Sequence, residues 1–570
     1  MLHRPLAALI AALAPASNRA GAEIYDVNVL TDPPGATCPS VRCSLRAAIE
    51  AANARPGFDE IRFSVAGVMP VLSALPPVTD IVTINGNSAP GYIGEAPQIT
   101  VDGVVTTAAR GLTLQGEADG SSVFALGIVN FDSDGLLLAS SVRAAFVDGC
   151  WIGQNADGNA AGNQGGIRVS GDDNTIGGNR GNRIAGSAEN GISVQGKGNT
   201  ISNNLVGGAE VESDFSNGIG INVSSTLASS NRITGNSLGG NREGAIRING
   251  SSNTVSDNEI GWFEGHRVAN GGDGIVVTGE GHVIENNNVY AGVRGVVFGE
   301  GTLGAEDMTL DNNLLEDQQS HAIDVWQLDG SSLRDNRLVN PGGHGLRMRV
   351  GTNNTLVNNV VRDGAADGFF LETSVTRGNL FQRNTLENLP GNGFSLAAAA
   401  GVSNYITGNN QRNIAGQWVD LSNDGPTPND AGDSDDGPNR LQNYPVLSNA
   451  VYTPGTELNS DGLVDLDLVL SSDPDQSLYP VIVEFFYLLD GSDFLILRAE
   501  NARLIETADA GRLIRVTGLQ IPGPAPVFPA PDGGFITATA IDAAGNTSEF
   551  SPRLEFGTVF DSGFESPDGP

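Results

Sequence analysis

The chain has 570 residues, of which 39% are hydrophobic, 6% are aromatic and 76 are glycine, with a formal charge of −35. So much glycine beside so few aromatics suits a fold built from many tight turns rather than one thick core. The charge keeps the chain soluble and excludes broad binding to nucleic acid or to an anionic membrane.

The N-terminus carries His3 and Arg4, the apolar run LAALIAALA at 6–14 and the small residues Ala20-Gly21-Ala22. This is the pattern of a signal peptide over residues 1–22, too short to span a bilayer. No later segment is long and apolar enough to do so, which leaves export as the expectation. Cys38 and Cys43 in CPSVRC are close enough to bridge in an oxidising compartment, whereas Cys150 in VDGCWI reads as a buried apolar filler. Residues 44–54, SLRAAIEAANA, have helical apolar spacing and open on Ser44, a natural N-cap. A stacked core needs its open end covered, so this short helix predicts a lid within an N-terminal cap at 23–80.

From residue 174 an eight-residue phrase recurs, as in NTISNNLV at Asn199, NTVSDNEI at Asn253 and NTLVNNVV at Asn354. Its sixth position reads Asn179, Asn204, Asn236, Asn258, Asn287, Asn313, Asn336, Asn359, Asn384 and Asn409, at intervals of 22 to 32 residues. Between these asparagines falls a second phrase, a turn residue followed by alternating apolar positions, such as GIVV at Gly274 and GLRM at Gly345. Period-two alternation in short runs means strands with one face inward. A repeat of this length therefore predicts an all-β parallel β-helix over 81–422, with the asparagines in turns and hydrogen-bonded from coil to coil.

CSLRAAIEAAN, with PGFDEIRF at Pro56 and TINGNSAPGYIGEAPQITVDG at Thr83, resembles the signature of the CSLREA-domain secreted proteins and the segments that lead into their right-handed β-helix. Ala47 stands where that family has Glu, which removes the reciprocal half of a capping box. NDAGDSDDGPNRLQNYPVLSNA, 429–450, resembles the Asp-rich boundary motif of the same proteins. ITATAIDAAGNTSEFSP, 536–552, resembles the last strands of a bacterial immunoglobulin-like sandwich, and TVFDSGFES at Thr558 a C-terminal motif of exported Gram-negative proteins. These resemblances imply an Asp-rich linker at 423–443, an Ig-like β-sandwich at 444–556, a tail at 557–570, and a place outside or on the surface of a Gram-negative cell. They imply no particular activity. Within the linker, Asp430, Asp433, Asp435 and Asp436 put several oxygen ligands in one loop, which suits calcium, although the spacing is not that of a twelve-residue calcium loop. A solvated acidic linker is the other reading of the same residues.

Function is sought on the outside of the coils. The residue before the second phrase reads Asn190, Asn217, Glu243, Asp273, Arg294, His321, His344, Asp367 and Asn392 down successive coils, and the outward residue of the same strand adds Arg247, Asp324 and Arg347. From Gly330 to Arg383 seven arginines face four acids, a local charge of +3 in an acidic protein. Such a stripe suits a monomer that binds an acidic extracellular polysaccharide and depolymerises it by eliminative or hydrolytic cleavage, with His344 or His321 as base, Arg294 and Arg347 on the carboxylate, and Asp273, Asp324 or Asp367 as acid or metal ligand. Arg247, Arg349 and, from the loop 261–274, Trp262 and Phe263 complete the expected substrate contacts. Two other readings stand beside it: turn positions are commonly polar for structural reasons, and the whole β-helix could be a non-catalytic spacer of a surface adhesin.

Overall fold

The computed structural model describes residues 21–31, 35–104, 110–211, 213–453, 462–488, 495–497, 502–521 and 534–558. The expected signal peptide, apart from Gly21 and Ala22, and the tail beyond Thr558 lie outside the described residues.

Three parallel sheets of 15, 14 and 13 strands form the walls of a long solenoid. Each coil contributes one strand to each sheet, as Thr254–Ser256, Glu259–Ile260 and Asp273–Val277 do. Their inward residues Val255, Ile260, Ile275 and Val277 are fully buried, in line with the same residue types of the coils above and below. Alternation puts one face of each strand inward, and stacking converts it into continuous apolar columns. A fourth, four-stranded sheet at Gly279–Glu280, Ala305–Glu306, Leu328–Asp329 and Gly351–Thr352 widens the middle coils.

The asparagine ladder is a file of buried side chains. Each Nδ2 donates to the Oδ1 of the next coil, from Asn258 through Asn287, Asn313, Asn336 and Asn359 to Asn384, at 2.9–3.0 Å. Cys150 stands at its N-terminal end, where its amide donates to Asn182 Oδ1 at 3.0 Å. The ladder member in that coil is Asn182 and not Asn179, because three extra residues before it, including Gly181 with φ +71°, displace the register. The residue with left-handed backbone is also not the ladder asparagine but its predecessor: Asn203, Asp257, Asn286, Asn312, Asp335 and Asn358 all have φ between 52° and 58°. Turn geometry and amide bonding, expected of one residue, are divided between two neighbours. A second file runs through Asn174, Asn199, Asn231 and Asn253 to His282, whose Nδ1 accepts the Asn253 amide at 3.0 Å. A third runs through Asn217, Asn241 and Asn270.

The stack begins before residue 81. Ile24–Val27 pairs in parallel with Asp59–Phe63, which pairs with Val82–Asn85. Helix Leu45–Asn53 covers this first coil, capped by Ser44 Oγ accepting the Ala47 amide at 3.2 Å. Leu45, Ala48 and Ile49 are buried in the solenoid core, and Cys38 and Cys43 form a disulfide just before the helix. The far end is covered as well. After the last strand, Val419–Ser422, the expected linker folds back so that Asn439 Oδ1 accepts the Asn404 amide at 2.9 Å, closing a file that runs from Asn354 through Asn379 to Asn404. Two antiparallel sheets built on Val446–Thr453, Gly462–Val469, Val481–Leu488, Ile514–Ile521 and Gly534–Ile541 share one apolar core beyond it. They dock on the last coils through Glu484, which accepts from Thr407 and Gly408, and Glu549, which accepts the Leu421 and Thr427 amides at 2.9 and 2.8 Å. Among the described residues no helix is long and apolar enough to cross a membrane.

Candidate functional site

The third sheet gathers most of the expected site residues. Registers align Asp273, Arg294, His321, His344, Asp367 and Asn392 in one column, and Arg247, Val276, Val297, Asp324, Arg347 and Phe370 in another. Asn217 and Glu243 do not belong to the first column. The residues in register there are Ile219 and Gly244, and Asn217 is a fully buried member of the third amide file.

The centre of the strip is a network of charge pairs. Arg294 holds Asp273 through two bonds of 2.8 Å and Asp324 through one of 2.6 Å. Asp324 is 1% exposed, and its other oxygen accepts from Arg349 at 2.6 Å. The Arg349 guanidinium lies 3.9 Å over the exposed Trp326 ring. Arg347 pairs with Glu372 at 2.8 Å, and Arg349 stands 3.8 Å from the same carboxylate. The two carboxylates beside it raise the Arg294 guanidinium above its ordinary value, Asp273 contributing most. Trp326, Glu372 and Phe370 were not expected. Trp326 and Glu372 each follow the last strand residue of their coil, as Arg349 does, so reading one position past each phrase would have found them. Arg247 lies three rungs before Asp324 and pairs instead with Glu300 at 3.3 Å.

The histidines continue the logic of the ladders. The His344 amide donates to His321 Nδ1 at 3.1 Å, the Asp367 amide to His344 Nδ1 at 3.2 Å, and the Asn392 amide to Asp367 Oδ1 at 2.7 Å. An N–H can donate only to an unprotonated ring nitrogen, so His321 is neutral and carries its proton on Nε2. Burial lowers its pKa to about 4, Asp324 opposing the shift, and burial likewise lowers that of His344. His344 Nδ1 also lies 3.3 Å from Asp367 Oδ2, which gives this ring alone a carboxylate partner for the other tautomer. Parallel stacking of His321 on His344 and of His344 on Phe370, at 5.2 and 4.8 Å, holds the rings in a row.

Trp262 and Phe263 lie elsewhere. They form a small hairpin with His266–Arg267 after the second sheet, Phe263 is buried, and Arg183 sits 5.5 Å over the Phe263 ring. Arg267 lies 4.5 Å over Tyr290 and pairs with Asp317 at 2.7 Å. The aromatic pair pins the hairpin to the second sheet and does not share the strip. Of the four expected metal ligands, Asp430, Asp433 and Asp435 bring oxygens within 4.8 Å of one another and Asp436 does not join them. Asp433 is already engaged by Ser477, by Gln442 at 2.5 Å and by the Asn443 amide at 2.7 Å. Cys150 is fully buried, and burial pushes its thiol up to about 12, as befits a filler.

A family model described as a right handed beta helix region matches residues 244–411, the stretch that carries this strip. The solenoid is thus a right-handed parallel β-helix. No curated protein matches the chain. Among solved structures, the mannuronan C-5 epimerase A-module of Azotobacter vinelandii is 14% identical with a TM-score of 0.37, covering 69% of this chain and 96% of its own. The catalytic domain of an α-1,3-glucanase is 13% identical with a TM-score of 0.38, over 70% of both chains. The surface adhesin PfbA of Streptococcus pneumoniae is 10% identical with a TM-score of 0.32, over 66% of this chain and 94% of its own. Likeness at this level concerns the course of the chain and not its chemistry.

Proposed function

We propose that this is an extracellular protein that binds an acidic polysaccharide along its third sheet. The observation that carries the reading is the register of Arg294, Trp326, Arg347, Arg349 and the His321–His344–Phe370 stack on four consecutive rungs. Rungs stand about 4.8 Å apart, so these groups follow a linear polymer over about 14 Å. Guanidinium groups suit carboxylates, Nε2–H groups suit hydroxyls, and exposed aromatic rings suit the apolar faces of sugars.

Pairing decides which arginines can serve. Asp324 is buried, so opening the Arg294–Asp324 bond strips a partner from a buried charge and costs several kcal/mol. Arg347 and Glu372 are 29% and 33% exposed, where an ion pair is worth about 0–1 kcal/mol and a ligand carboxylate can replace it. Arg347 is therefore the anion contact, while Asp273, Arg294, Asp324 and Arg349 form its rigid base. One observation favours turnover as a second reading. Nδ1 here accepts the Asp367 amide, so turnover needs the other tautomer. With Nδ1–H turned to Asp367 Oδ2, 3.3 Å away, His344 Nε2 takes a proton from a sugar carbon while the C–O bond to the leaving sugar breaks and water supplies that oxygen its proton, the step of an eliminative lyase.

The test is retention of the full chain by pectate, alginate and hyaluronan in affinity electrophoresis, with dextran as a neutral control. Arg347→Gln should weaken retention and flatten its salt dependence, and the absorbance of unsaturated products reports turnover and its loss in His344→Ala. Equal migration of the wild type and Arg347→Gln in every acidic polymer would overturn the binding reading.

A further inference from the structure

We infer that the cavity between the last coil and the C-terminal sheets is a second saccharide site, one that takes the carboxylate-bearing end of a chain lying on the strip. It rests on the proposed polysaccharide reading for its occupant, and on its own geometry for the site.

The cavity measures about 400 Å³ and is lined by Gln417, Trp418, Tyr444, Glu549, Phe550 and Arg553. Small-ligand sites fall in the range of roughly 300–1,000 Å³ and favour junctions between domains, so this one suits a terminal sugar unit or two. It also lies on the line of the strip. The amide relay that joins His344, Asp367 and Asn392 continues to Gln417, whose N–H donates to Asn392 Oδ1 at 2.7 Å. Gln417 is three rungs beyond His344, about 14 Å along the same column.

Trp418 marks the change of use. Its register position is held by Gly274, Gly295, Ala322, Gly345, Gly368 and Gly393 in the coils before it. Nothing larger than alanine stands there, and at Gly393 even a Cβ would stand 1.8 Å from Gln411 Oε1 and 2.7 Å from the Trp418 carbonyl. In the last coil the crowding ends and an indole appears. Its ring meets Phe550 edge-on at 5.0 Å, and the Arg553 guanidinium lies 5.2 Å from its centre.

The polar groups here differ from those of the strip. Arg294, Arg347, Arg349 and Arg247 all hold carboxylates, whereas among the described residues Arg553 has no carboxylate within ion-pair distance. The Gln417 side-chain amide and the Tyr444 hydroxyl likewise have no hydrogen-bond partner among the described residues. Glu549 does not compete for Arg553, since its oxygens accept from Leu421 and Thr427 in the wall. A free guanidinium, an indole, an amide and a hydroxyl around one cavity recognise a pyranose ring that carries a carboxylate.

The experiment titrates the full chain calorimetrically with uronic-acid saccharides of one to three units and with the matching neutral sugars. Short acidic saccharides should bind the wild type. Arg553→Gln should weaken them about tenfold or more, the loss of one charge-assisted bond, with an unchanged melting temperature because Arg553 is exposed. Tyr444→Phe should weaken them less, and Arg347→Gln, remote from the cavity, should leave them unchanged. Failure of short acidic saccharides to bind, or equal binding by Arg553→Gln, overturns the inference even where long polymers still depend on Arg347. Short saccharides that depend on Arg553, with polymers indifferent to Arg347, uphold the cavity and overturn the strip.

Discussion

Replacing Asn313 with Leu isolates what the amide ladder contributes. Asn313 is 2% exposed, and its Nδ2 donates to Asn336 Oδ1, the Ile284 carbonyl and the Asp311 carbonyl at 2.9–3.0 Å. Its Oδ1 accepts the Asn287 amide and the Asn287 Nδ2, both at 3.0 Å. Leucine matches the amide in number of heavy atoms, so no cavity opens, and its bulkier methyls add an overpacking strain of about 1–3 kcal/mol to the polar loss. Asn287 Nδ2 keeps the Val255 carbonyl and Asn336 Oδ1 keeps the Asn313 amide, but the buried Asn287 N–H is left without an acceptor. One orphaned buried donor and the lost neutral bonds amount to roughly 3–5 kcal/mol. The neighbouring Asn312→Gly is the control, since Asn312 has φ 52° and glycine adopts that conformation freely, for a change within about 1 kcal/mol. Urea unfolding followed by far-ultraviolet circular dichroism measures both. Similar midpoints for Asn313→Leu and Asn312→Gly would refute the reasoning, and the solenoid would then stand on its apolar columns alone.

Leu45→Asp places a charge where a lid side chain is 5% exposed and should cost at least about 3 kcal/mol and promote aggregation, read by calorimetry and light scattering; unchanged melting means that helix 45–53 is not a lid. His321 is held neutral with a pKa of about 4 against 6.5 unfolded, so the unfolded chain binds the extra proton between those values. Its contribution is complete above about pH 6.5 and is lost as the pH falls toward 4, so His321→Asn should flatten the urea-midpoint profile in that window and leave it parallel to wild type above pH 7. Asp324→Asn puts an amide between Arg294 and Arg349 and should cost roughly 2–4 kcal/mol without lowering retention by acidic polymers. A loss of retention at unchanged stability would instead make Asp324 a ligand contact.

What the sequence shows of this fold is what repeats from coil to coil. A ladder needs the same side chain at one site in every coil, so its period survives in the letters, and alternation survives because each strand has one face inward. Legibility ends where the register slips. The glycine-rich turn before Asn182 adds three residues, and a fixed eight-residue phrase then selects Asn179. The first coils carry no asparagine phrase, so from the sequence the stack starts at 81 although Ile61 and Phe63 already line its core. The strip was legible as a column of chemistry-bearing residues, since period alone aligns Arg294, His321 and His344. Which atoms touch was not legible. The Arg294–Asp324 and Arg349–Asp324 bonds reach between coils along rotamers that no period encodes.

The same physics says where a ligand should be sought. In the middle of a solenoid every outward group has neighbours one rung above and below, about 4.8 Å away, and they satisfy one another. The strip accordingly shows arginines with carboxylates and imidazoles with backbone amides, a surface already at rest without a ligand. The end of the solenoid cannot be arranged in this way, because the last coil has no successor and its open strands must be covered. Covering them with separate sheets brings together surfaces that obey no common repeat, and a gap lined by unmatched groups remains. Gln417, Trp418 and Arg553 sit at that gap. On the proposed reading, a polymer that exchanges the weak Arg347–Glu372 pair along the strip meets, three rungs beyond His344, side-chain polar groups with no partner to displace among the described residues. The proposed sites thus divide the work, the junction setting specificity and the strip length and direction.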